Sequence, residues 1–166
     1  MPDNEMVYKE PTQAQELLAE VVRELDGNHL KVRSGEAIQL LTVSEDGWPH
    51  AAQLSVGEFL AIGPDVLLVA IWPKTHTAEN LRRDGRLTLW LVINNALLEM
   101  RAHATLKAEH QTKLDLALFQ IKIESVSEHR SNYADVTTGV TFKLHDHERT
   151  FARWREQIAA LKQLVA

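Results

Sequence analysis

Lys74, Thr75, Thr77 and Asn80 lie in one short polar insert, residues 73–85, set between two apolar runs, 66–72 and 86–93. An insert of this kind suits anion binding. An extended run that turns into a short helix leaves the first helical amides unpaired and places a partial positive charge there. Thr75 and Thr77 add hydroxyls and Lys74 adds a full charge, so the segment reads as a phosphate cradle. The same residues also fit a plainer description, in which a threonine caps the helix and Lys74 is solvated.

Other chemistry-bearing residues are less organised. His50, His76, His103, His110 and His129 are scattered without ligand spacing. His145 and His147 form His-x-His with no third ligand nearby, so no metal site is assigned. Arg82, Arg83 and Arg86 cluster at the end of the expected helix, where cations suit the dipole and a solvated face accounts for them. The chain has no cysteine, which removes disulfides, iron–sulfur clusters and thiol chemistry. It has no glycine-rich phosphate loop and no nucleophile elbow.

The elements that must position the insert are mostly strands. Residues 37–44 and 48–56 flank Asp46-Gly47, a favoured hairpin pair, and Pro49 follows where a strand tolerates a missing N–H. The run 66–72 is apolar on both faces and is expected to be buried on both. Asn94-Asn95 marks a turn before an alternating strand, 97–109. A polar loop is expected at 110–115, a strand over 118–127, a loop at 131–133 and a further extended segment over 136–144. At the N-terminus, 1–11 reads as a loose arm. Thr12 and Gln15 make a capping box for a helix carrying Ala14, Leu17, Leu18, Val21, Val22 and Leu25, stopped by Gly27. Asp146 caps a last helix, about 147–165, with Phe151, Trp154, Ile158, Leu161 and Val165 at helical spacing. These elements predict a mainly β protein: a small antiparallel β-barrel of six to seven strands, about 35–144, with N- and C-terminal helices.

At 166 residues a single domain spanning 1–166 is expected. A net charge of −5 gives no nucleic-acid footprint over the whole chain. No apolar run approaches the roughly 20 residues of a membrane helix. The first residues are acidic and polar, unlike a signal peptide, so a cytoplasmic location is expected.

The ordered set of Leu-Leu-Thr-Val-Ser-Glu-Asp-Gly-Trp-Pro-His (40–50), an apolar strand, and Lys-Thr-His-Thr-Ala-Glu-Asn-Leu-Arg-Arg-Asp-Gly (74–85) resembles the pyridoxamine 5′-phosphate oxidase-like superfamily of flavin-binding split barrels. The likeness covers roughly residues 35–108. It implies an FMN-binding homodimer with the cofactor at the subunit interface, and flavin-dependent oxidoreductase chemistry on an unidentified small molecule. Carried across, the family's hydroxyl residue at the phosphate loop falls on Thr75, and its basic pair falls on His76 and Thr77, with Lys74 one place earlier. Asn80 becomes an extra donor. Gln53 and Ser55, two apart on one strand face, are placed to reach the ribityl chain or phosphate, and the backbone of Ala70, Ile71 and Trp72 lines the ring edge. No side chain stands out as a catalytic acid or base.

There are departures. Two basic positions on the second barrel strand of the oxidases hold Ala52 and Gly57 here. A doubly anionic substrate needs guanidinium or ammonium partners, so oxidation of pyridoxamine 5′-phosphate itself is not expected. The alternatives are a relative holding a deazaflavin or haem, with His50, His76 or His103 as candidate iron ligands, and a cofactor-free dimeric binding or scaffold protein.

Overall fold

The computed structural model describes residues 10–109 and 113–166. Most of the expected N-terminal arm, and His110 with the start of the loop at 110–115, lie outside the described residues.

Eight strands form one antiparallel sheet: β1 (Thr12–Ala14), β2 (Ile38–Val43), β3 (Pro49–Leu54), β4 (Phe59–Ala61), β5 (Val66–Ile71), β6 (Arg86–Ile93), β7 (Ala96–Glu109) and β8 (Ala117–His129). Seven of them follow the path β3-β2-β6-β7-β8-β5-β4. Residues 117–122 of β8 pair with β5, and residues 126–128 with β1. Register shifts at Arg101/Ala102 and Leu106/Ala108 interrupt the long β7–β8 ladder, and bulges of this kind increase local twist. The curled sheet is open between its end strands, β3 and β4, which a single 3-10 turn (Val56–Glu58) joins. This is a split barrel.

Local chemistry explains the hairpins. Gly47 adopts φ +85°, and the amide of Ser44 donates to the Trp48 carbonyl at 2.8 Å to close the β2–β3 turn. Asn94 and Asn95 both take positive φ, as a two-residue β6–β7 turn requires. Pro49 opens β3, an edge strand, where its missing N–H breaks no ladder. From Leu67 to Ile71 every residue of β5 is buried, between β4 and β8.

Among the described residues three helices cover the sheet: α1 (Ala19–Glu24), α2 (His76–Arg83) and α3 (His147–Gln163). Val21 of α1 and Trp154, Ile158 and Leu161 of α3 join one core cluster with Leu40, Phe59 and Leu67. Asp146 caps α3, its carboxylate accepting from the Arg149 amide at 3.0 Å. Arg33, 9% exposed, ties the α1–β2 connection to the sheet: it pairs with Glu24 and Glu36 and donates to the Val92 carbonyl at 3.0 Å.

Two expectations are corrected. Thr12 does not cap a helix; residues 12–14 extend along β8, whose edge there offers unpaired backbone groups, and α1 begins only at Ala19. The segment 136–144 forms no strand. It runs as a strap held by Val136 to Asn95, Ala37 to Val140 and Phe142 to Gly35, with one isolated bridge between Glu36 and Thr141. His147 opens α3 and stacks on Phe151. Among the described residues no helix is long and apolar enough to cross a membrane.

Candidate functional site

β5 ends at Ile71, and the chain turns through residues 72–75 into α2. Thr75 closes this turn from both sides. Its hydroxyl donates to the Trp72 carbonyl at 3.0 Å and accepts from the Ala78 amide at 3.2 Å. The amides of His76 and Thr77 are left without an intrahelical acceptor, as at any helix start. Lys74 is exposed at the head of the turn. Thr77, Ala78 and Leu81 seat the helix inward, being at most 4% exposed.

Asn80 has a different place from the one the resemblance implies. Its amide donates to the Thr42 hydroxyl at 2.9 Å, both residues are buried, and its carbonyl oxygen accepts from Arg83 at 3.0 Å. The arginines at the helix end are likewise engaged: Arg82 with Glu109, Arg83 with the Val43 carbonyl, and Arg86 with Asp84.

Two depressions flank this turn. A groove of about 610 Å³ takes in His50, His76, Glu79, Asn80 and Arg83. The rings of His50 and His76 meet edge to face at 5.9 Å, and Glu79 lies 3.5 Å from the His76 imidazole. A cleft of about 700 Å³ is lined by Gln53, Ser55, Glu58, Trp72, Arg149 and Arg153, with Trp154 in its wall. The structure thus gathers Gln53, Ser55 and Trp72 in the cleft and His76 with Asn80 in the groove. Ala70 and Ile71 are buried and pair with Leu118 and Ala117, so they border the site through β5 alone.

The cleft has its own electrostatics. The guanidinium of Arg153 sits 5.8 Å from the centroid of the Trp72 ring, a cation–π distance. Among the described residues that line it, Glu58 is the one carboxylate. It accepts from the Ser55 amide at 2.5 Å and the Ser55 hydroxyl at 2.9 Å. Burial nevertheless holds its pKa above the ordinary value, against the lowering pull of those bonds and of Arg153.

Sequence reasoning missed Glu58, Arg149 and Arg153. A signal existed for the arginines, since residues four apart share one helix face.

No family profile matches the chain. YclD of Bacillus subtilis strain 168, a protein described as uncharacterised, is 36% identical over 141 residues, covering 84% of this chain and 91% of that one. Among solved structures, a Lactobacillus delbrueckii protein provisionally described as a pyridoxamine 5′-phosphate oxidase superposes with a TM-score of 0.54 at 19% identity, over 71% of this chain and 98% of that one. HupZ of Group A Streptococcus superposes with a TM-score of 0.53 at 12% identity, over 72% and 98%. The chain therefore belongs to the family of YclD, and its fold is the split barrel of those two solved structures.

Proposed function

We propose that this chain is an FMN-binding flavoprotein that acts as an oxidoreductase on a small molecule, as a homodimer with the cofactor between subunits. The observation that carries this reading is the turn between β5 and α2. Lys74 and two free helix-start amides stand immediately after Trp72, and Trp72 faces a cleft that also holds Gln53 and Ser55. A cleft of about 700 Å³ lies within the usual range for sites of small molecules and cofactors. Its donors and guanidiniums suit an anionic, hydroxylated ligand.

Bound flavin supplies the electron and hydride chemistry. The protein's own residues bind and orient. Lys74 and the amides of His76 and Thr77 attract the phosphate, while Thr75 holds the turn that presents them. Gln53 and Ser55 offer hydrogen bonds along the ribityl chain. Trp72, 43% exposed, gives a flat apolar border that excludes water from a ring. The exposed indole of Trp48, at the tip of the β2–β3 hairpin, supports a surface that a second subunit covers.

The test is the absorption spectrum of freshly purified protein, followed by titration with FMN and a measurement of oligomeric state. Saturating FMN raises the melting temperature, with about 2.7 kcal/mol of stabilisation at a hundredfold excess over the dissociation constant. Lys74→Ala weakens binding. A colourless protein whose melting temperature ignores FMN sinks the reading, and a deazaflavin or haem spectrum redirects it.

A further inference from the structure

Ala52 and Gly57 stand at the two positions where the resemblance to the oxidases implies barrel cations. Gly57 is not simply an empty place. A Cβ there would lie 1.9, 2.2 and 2.4 Å from Cγ, Cδ1 and Cβ of Trp154. Distances below 3.0 Å do not occur for real side chains, and Trp154 is only 1% exposed, so α3 itself closes this position to any side chain.

The helix that closes the position also brings charge. Arg149 and Arg153 sit one turn apart on α3, either side of the turn that carries Thr150, and all three line the cleft. Among the described residues neither guanidinium has a carboxylate within ion-pair distance; Arg153 instead lies over Trp72. The one lining carboxylate, Glu58, is already occupied by two hydrogen bonds from Ser55. In a chain of net charge −5, the cleft sets two guanidiniums against one buried carboxylate, a local excess of positive charge.

We infer that Arg149 and Arg153 of α3 form an anion site in the cleft beside Trp72, and that these guanidiniums join Lys74 in holding the ligand's phosphate. The inference rests on the flavin reading for the identity of the ligand, but not for the existence of the site. Guanidinium is well matched to this role, since it offers paired donors to phosphate oxygens and stacks on an aromatic face. The arrangement also gives α3 a function beyond covering the core: undocking the helix would remove both cations at once.

The experiment compares the wild type with Arg149→Gln/Arg153→Gln and Arg149→Lys/Arg153→Lys. Each protein is titrated with FMN and with riboflavin, and its melting temperature is followed with and without inorganic pyrophosphate. Circular dichroism and the melting temperature without ligand check folding. The expected result is that the glutamine pair weakens FMN binding by about tenfold or more while leaving riboflavin unchanged. Stabilisation by pyrophosphate disappears in the same variant, and the lysine pair recovers part of both. If the glutamine pair keeps the full preference for FMN over riboflavin, the inference fails and the flavin reading stands. If wild type binds no flavin but is stabilised by pyrophosphate through these arginines, the anion site stands and the flavin reading falls. If wild type responds to none of the three ligands, both fall.

Discussion

The indole of Trp154 fills the space that a side chain at residue 57 would need, with its Cγ 1.9 Å from where the Cβ would stand. This contact welds α3 to the 3-10 turn between β3 and β4, the two end strands of the sheet. Gly57→Ala therefore cannot be absorbed without moving the helix. It is expected to cost about 1–3 kcal/mol of stability, the usual range for overpacking. Removing the indole instead, with Trp154→Ala, leaves a cavity and costs about 3–5 kcal/mol. Urea unfolding reads both. A Gly57→Ala protein as stable as wild type would show that α3 is not seated on the turn.

Asn80 gives a prediction that separates a binding role from a structural one. Its side chain bridges Thr42 and Arg83 within the protein. Asn80→Ala is expected to lower stability by about 1–3 kcal/mol, because it removes a buried hydrogen-bonded amide. The FMN affinity of the folded variant is expected to stay at the wild-type value. A selective loss of affinity with unchanged stability would return Asn80 to the ligand.

Much of the sheet was legible because its signals are local. The hairpin at Asp46-Gly47, the turn at Asn94-Asn95 and the doubly apolar β5 each carry their conformation in a few adjacent residues. β1 was not legible. Thr12, Gln13 and Ala14 are exposed, and they become a strand only because residues 126–128 of β8, far along the chain, offer an open edge. The segment 136–144 failed in the opposite sense. It has strand-like composition, but it meets the residues just before β2 at one bridge, too little for a ladder. The site divides in the same way. The start of α2 could be placed from Thr75 and the residues around it. The facing of Arg149 and Arg153 could not, because it depends on where Trp154 docks.

Thr75 joins the strand end to the helix start, with its hydroxyl used as both donor and acceptor. Thr75→Ala is expected to cost about 1 kcal/mol, the typical value of an N-cap. It also loosens the amides of His76 and Thr77, so FMN affinity falls with it. Thr75→Ser keeps the hydroxyl and restores both quantities. Calorimetric melting and flavin titration on the two variants check this; equal losses in both would mean that the methyl group, not the cap, matters.

Glu58 sets a pH dependence whose sign follows from its burial. Its pKa in the folded protein is raised above the ordinary value of 4.5, mainly by desolvation. A raised carboxyl pKa means that the folded state holds its proton more tightly than the unfolded chain does. The associated stability is fully present below the unfolded pKa and is lost as pH rises through the folded one. Glu58→Gln removes that titration while keeping an oxygen to accept from Ser55. The melting temperature of Glu58→Gln relative to wild type is therefore expected to climb as pH is raised from the ordinary glutamate value toward neutrality. A difference that stays flat, or runs the other way, would mean that Arg153 and the Ser55 donors outweigh burial and keep Glu58 ionised throughout.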